Sequence, residues 1–221
     1  SIFFYLILSF PYIYLITLWG GLFPTDLTES RNLGNKLYFD HIGYAVTIIA
    51  FYFVPFLFFK KGNIFNLVKI TFSKKSSYYL FLLFLIYILS LIILSYFTNE
   101  SSLNIDVSIG KGYIHKLSYI LFEKNFIREI FIYLAFIISW IIILIFINQN
   151  VKDILILLYL FFVGLITIPI LQEYFDPLIF IMVFTFFNIK IFINYKNAII
   201  LFLYFSFFLI SANIYYYNLL N

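Results

Sequence analysis

Asp26, Glu173 and Asp176 are the carboxylates best placed to do chemistry in this chain. They stand in Gly20-Gly21-Leu22-Phe23-Pro24-Thr25-Asp26 and in Gln172-Glu173-Tyr174-Phe175-Asp176-Pro177, and each stretch interrupts an apolar run. Arg31 and His41 follow the first stretch, and Lys111 and His115 lie in another polar segment. Cations of this kind bind phosphate through charge-assisted hydrogen bonds, and carboxylates accept hydrogen bonds from sugar hydroxyls. The segment after the first stretch holds Asp26, Glu29, Arg31, Lys36 and Asp40 with His41 just after it, and this mixed-sign cluster suits a phosphate-sugar head group. Cysteine is absent, which excludes disulfides, thiolate catalysis and Cys-ligated metals. The two histidines are far apart and offer no HxxxH spacing. No metal and no cofactor is expected.

The elements that position these residues must be membrane helices. The chain has 221 residues, 64% hydrophobic and 11% charged, with a mean hydropathy of +1.04. Soluble domains carry roughly a quarter charged residues, so there is too little polar surface here to cover a soluble globule. Apolar runs approach the ~20 residues that cross about 30 Å of hydrocarbon as helix. The expected fold is all-α, a polytopic transmembrane helical bundle in a single domain over residues 1–221. Seven spans are expected, at Ser1–Trp19, His41–Phe59, Ser77–Phe97, Glu129–Ile147, Ile154–Leu171, Leu178–Lys190 and Ala198–Tyr215. The 32 Phe and 20 Tyr fit an AT-rich codon bias better than an aromatic device. Ser1 already lies in an apolar run with no basic segment before it, so the chain reads as a fragment lacking its N-terminal part and not as one opening on a signal peptide.

Loop charge sets the orientation. One set of loops holds Lys60, Lys61, Lys69, Lys74, Lys75, Lys152, Lys190 and Lys196 with Asp153 as its one acid, and the other holds the remaining charges, giving +7 against −3. By the positive-inside rule the first set is cytoplasmic. The carboxylates then face the periplasm or an organelle lumen, which fits a multi-pass protein of the bacterial inner membrane or the endoplasmic reticulum. The basic loops suit anionic lipid headgroups, and no nucleic-acid partner is expected.

Three outer segments could hold function; their plain readings are a solvated connector for the first, an interfacial anchor for the second and a water-exposed turn for the third. The first runs from Gly20 to Asp40. The second, Thr98 to Arg128, has Ile114, Leu117, Leu121 and either Ile120 or Phe122 at helical spacing, with His115, Lys116, Glu123 and Lys124 between them. That pattern predicts an interfacial amphipathic helix over Tyr113–Ile127. Gly110-Lys111-Gly112 before it offers backbone N–H groups and an ammonium to a phosphate, or else belongs to a plain interfacial anchor. The third segment is the turn Gln172–Pro177.

Gly20-Gly21-Leu22-Phe23-Pro24-Thr25-Asp26 resembles the Gly-Gly-x-x-x-Gly-Asp segment of the dolichyl-phosphate-glucose-dependent alpha-1,2-glucosyltransferases, and Leu171-Gln172-Glu173-Tyr174-Phe175 resembles that family's Leu-Leu-Glu-Phe-Arg stretch. The chain would be the C-terminal part of such an enzyme, within the wider GT-C superfamily of membrane glycosyltransferases. The resemblance implies transfer of a sugar from a polyprenyl-phosphate donor at the outer face, with inversion. A carboxylate base, expected upstream of Ser1, would deprotonate the acceptor hydroxyl. Asp26, Arg31, His41, Lys111, His115, Glu173 and Asp176 would bind substrate, and the walls between spans would hold the polyprenyl tail. The fragment alone is then expected to be inactive. The alternatives are a multi-span transporter or lipid flippase, which the uncharged spans disfavour, and a non-catalytic membrane subunit.

Overall fold

A computed structural model describes residues 14, 17, 18, 38–59, 63–98, 103, 110–147, 151–166, 179 and 194–220. Seven helices account for most of them: α1 (Asp40–Leu57), α2 (Ile64–Phe72), α3 (Lys75–Thr98), α4 (Gly112–Leu121), α5 (Asn125–Phe146), α6 (Val151–Ile166) and α7 (Tyr195–Leu220). No strand occurs among the described residues, so the fold is all-α. Helices α1, α3 and α5 are long and apolar enough to cross a membrane, and Tyr195–Ser211 of α7 is a shorter apolar stretch. Helix α6 is described over 16 residues, about 24 Å of helix. The expected spans Ser1–Trp19 and Leu178–Lys190 lie outside the described residues, apart from isolated positions.

Helix α1 is the hub. It packs against α5 and α6, and also against α4 and α7, and is buried along nearly its whole length. Its neighbours each turn one stripe toward the bundle. Ser77, Phe84, Ile88 and Leu91 are the buried positions of α3, while Leu83, Ile86 and Ile93 are more than half exposed. Arg128, Ile132, Phe136, Trp140 and Ile143 form the buried stripe of α5. Asp153, Leu157 and Leu160 do the same on α6. Steps of three and four residues keep each stripe on one face. The broad exposed apolar faces are what helices in lipid present, since hydrocarbon does not drive them inward.

Gly43 lets α1 and α5 approach closely, because a Cβ on it would overlap the ring of Phe136. Side-chain donors reach across helices to backbone carbonyls elsewhere. Trp140 Nε1 donates to Leu80 O at 3.2 Å, and Tyr204 OH to Phe51 O at 3.0 Å. Tyr87 OH donates to Phe39 O at 2.7 Å and accepts from Gly43 N at 3.0 Å, so one phenol braces the first turn of α1. Such bonds supply specificity where apolar contact alone supplies little.

Two expectations are corrected. The basic loop before Lys75 contains helix α2, whose start is capped by Asn63 Oδ1 accepting from Phe65 N at 3.3 Å. The amphipathic helix expected over Tyr113–Ile127 is shorter. It ends at Leu121, Phe122 is extended, and α5 begins at Asn125. Its two faces are unequal. Gly112, His115 and Ser118 are the buried positions, whereas Ile120 and Leu121 are more than half exposed. The polar face turns inward and an apolar edge faces out.

Candidate functional site

The polar cluster is built where the first turn of α1 meets the start of α4. Gly110, Lys111 and Gly112 all have positive φ, at 86°, 62° and 75°. Glycine adopts this region freely, but a left-handed Lys costs about 1–2 kcal/mol. The turn aims the Lys111 side chain into the bundle, where it is 3% exposed. Its Nζ lies 4.0 Å from Asp40 Oδ2, donates a short hydrogen bond to Leu103 O, and stands 5.1 Å from the centre of the Tyr44 ring. Tyr44 OH also donates to Leu103 O, at 3.2 Å. A cation at a helix N-terminus opposes the helix dipole, so the carboxylate of Asp40 offsets two unfavourable placements at once.

His115 continues the cluster one turn along α4. It is fully buried, with its ring edge-on to Tyr44 at 5.6 Å and to Tyr119 at 5.7 Å. Arg128 closes the series. Its Cζ sits 3.4 Å from the Tyr119 ring centre, and Nη1 donates to Asn125 Oδ1 at 3.1 Å. Lys111, His115 and Tyr119 recur every fourth residue and so share a face of α4. Asp40 and Tyr44, again four apart, meet them from α1.

His41 points elsewhere. It is buried on the α6 side of α1, where Nδ1 is 3.1 Å from Gly164 O. A carbonyl only accepts, so Nδ1 carries the proton. The ring stacks on Tyr38 at 5.1 Å. Of the seven site residues expected from sequence, Lys111 and His115 thus share one cluster, and His41 lies on the opposite side of the same helix turn. Asp26, Arg31, Glu173 and Asp176 lie outside the described residues. No group of three or more His, Asp or Glu side chains that could hold a metal occurs among the described residues.

Asp40, Tyr44 and Arg128 were not among the expected site residues. Asp40 and Arg128 stood at span boundaries, where a charge reads as solvated, yet both are 4% exposed. The i, i+4 spacings of Asp40 with Tyr44 and of Lys111 with His115 were the available signal. An apolar cleft of about 480 Å³ lies alongside, between α1, α5 and α7 and below Tyr113 of α4. Lys111 and His115 do not line it.

No protein-family model matches the chain, and no curated protein or solved structure matches it.

Proposed function

We propose that this chain is part of an integral-membrane glycosyltransferase of the GT-C kind. It transfers a sugar from a polyprenyl-phosphate donor to an acceptor at the outer face. The observation that carries this reading is the buried Asp40–Lys111 pair with His115 beside it, in a bundle whose long helices are mostly apolar. Ionisable groups inside such a bundle are expensive and mark functional positions. The two acidic segments that resemble the glucosyltransferase motifs add to it. In this reading seven helices span the bilayer, and α4 lies at its outer interface with its apolar edge toward lipid. Asp40 and Lys111 fix the floor of the head-group chamber. Asp26, Glu173 and Asp176 hold sugar hydroxyls, and Arg31 faces the leaving phosphate. A carboxylate takes the acceptor proton, the acceptor oxygen bonds to the anomeric carbon, and the bond to the phosphate breaks with its electrons leaving on polyprenyl phosphate.

The test is transfer of radiolabelled sugar from a polyprenyl-phosphate donor by membranes carrying the full-length protein. Asp26→Asn and Glu173→Gln are each expected to lower the rate roughly ten- to hundred-fold, the cost of one hydrogen-bonded carboxylate at about 1–3 kcal/mol. Wild-type rates in both variants would leave the acidic segments as ordinary turns. Orientation is checked separately. A cysteine at exposed Glu123 should react with an impermeant thiol reagent from outside, and one at exposed Ser73 should not. Labelling of the Ser73 position from outside reverses the topology and removes the outer-face site.

One observation favours a second reading, a transporter or lipid flippase. Tyr87 braces Phe39 and Gly43 from the thirteenth residue of the 24-residue helix α3. The Asp40–Lys111 pair thus sits near the middle level of a spanning helix, where transporters keep their polar groups. Movement of a fluorescent lipid across proteoliposome membranes, lost in Asp40→Asn, together with no sugar transfer, would select this reading.

A further inference from the structure

The apolar cleft follows α1 from Thr47 to Val54 and α5 from Phe131 to Ile142, under Tyr113 and against Phe208 of α7. Eleven helical steps along α5 make it about 16 Å long. With a volume of about 480 Å³, its mean cross-section is about 30 Å². That is a slot for one hydrocarbon chain laid lengthwise. One edge is open. Leu134 and Ile138 on α5 and Phe207 on α7 all line the cleft and are each more than half exposed. The mouth therefore opens sideways, between helices whose outer faces are apolar.

The lining says what kind of molecule enters. Among the described residues, no charged side chain lines the cleft. Two of its hydroxyls are already committed, Thr47 Oγ1 to Tyr44 O at 2.7 Å and Tyr204 OH to Phe51 O at 3.0 Å. A ligand recognised through its phosphate needs a cation at the mouth, and Lys111 is turned away onto Asp40. An isoprenyl chain also carries a methyl branch on every fourth carbon, which widens it. An unfilled apolar slot forfeits the dispersion contacts of every atom that lines it.

We propose that this cleft is a resident-lipid site. It takes one acyl chain of a bilayer phospholipid, entering sideways between α5 and α7, while the head group stays at the bilayer surface. The chain completes the packing between α7 and the α1–α5 pair, where Phe51, Tyr113 and Phe208 already meet with ring centroids 4.8 to 5.6 Å apart. The proposal stands apart from sugar transfer, which plays no part in its test.

The full-length protein is reconstituted with phosphatidylcholine bearing a diazirine in mid-chain, washed extensively with detergent, irradiated and mapped by peptide mass spectrometry. Label should persist at Leu134, Ile138 and Phe207. It should fall about tenfold or more at Leu83 and Ile86, which are exposed on α3 but line no cleft, a difference that measures preferential retention. Ala135 lines the slot, so Ala135→Phe should reduce retained label to the α3 level. Ala135→Leu serves if the larger residue prevents folding. A parallel arm uses polyprenyl phosphate with the same photoactive group. Even labelling of all faces after washing overturns the proposal. So does displacement of phosphatidylcholine from the cleft by polyprenyl phosphate.

Discussion

Asp40→Leu is expected to destabilise the protein by about 3–5 kcal/mol, the usual cost of removing one partner from a buried ion pair. The reason lies in what stays behind. Lys111 is 3% exposed, and its φ of 62° holds the side chain inward. Gross attraction between unit charges 4.0 Å apart is about 4 kcal/mol at an effective dielectric near 20. That is enough to offset both the left-handed backbone, at about 1–2 kcal/mol, and the adverse helix dipole, at about 0.3–1 kcal/mol. Without Asp40 the Leu103 carbonyl and the Tyr44 ring remain beside the ammonium, but its opposite charge is lost. Lys111→Met should cost a similar amount, because it removes the other partner of the same buried pair. The double variant should recover most of the loss, since an apolar pair of similar volume is often as stable as a buried ion pair. Thermal unfolding of the four proteins in one detergent closes the cycle. A coupling energy below about 0.5 kcal/mol, the lower end for residues in contact, would mean that the two charges do not stabilise one another.

Three helices long and apolar enough to cross a membrane were legible, because lipid leaves few ways to write a helix. Apolar runs put helices at His41–Phe59, Ser77–Phe97 and Glu129–Ile147, and the structure has them at Asp40–Leu57, Lys75–Thr98 and Asn125–Phe146. The small offsets fall where charged residues were read as the water boundary. Arg128 was missed for that same reason, and Asp40 was read with the first polar segment but not as buried. Helix α4 was found, though shorter than expected. Its apolar period reads as a face laid against the bilayer interface. In lipid the apolar face already has its solvent, and it is His115 and Ser118 that need protein around them. Helix α2 was hidden by the lysines that flank it, Lys60, Lys61, Lys74 and Lys75, and by Lys69 within it. Its signal was Asn63, a good N-cap, ahead of Leu67, Val68 and Thr71, which face the bundle at helical spacing. The cleft was not legible at all, since it depends on how far α7 stands from α5, and no residue spacing encodes that distance.

Gly43→Ala separates propensity from packing. On helix propensity alone the change should stabilise α1 by about 0.8–1.0 kcal/mol. The added Cβ, however, would overlap the Phe136 ring, and Phe136 is fully buried against Tyr44 with centroids 5.2 Å apart, edge to face. Overpacking of this kind costs typically about 1–3 kcal/mol, occasionally more, so the clash should win and the variant should be less stable than the parent. The strain has two routes out. It can push Phe136 and Tyr44 aside, which disturbs the ring that stacks on Lys111 Nζ and the hydroxyl that bonds Leu103 O. Alternatively it can separate α1 from α5 and loosen the Tyr87 hydroxyl that bonds Gly43 N. Either route reaches the turn carrying Asp40. Phe136→Leu should relieve it, because the smaller side chain vacates the volume the new methyl needs. Gly43→Ala with Phe136→Leu should therefore be more stable than the sum of the single changes allows, by about 0.5–3 kcal/mol of favourable coupling. Unfolding midpoints of the single and double variants in one detergent decide it. A Gly43→Ala protein more stable than the parent would show that the α1–α5 contact has slack, and the glycine would then be incidental to the placing of Asp40.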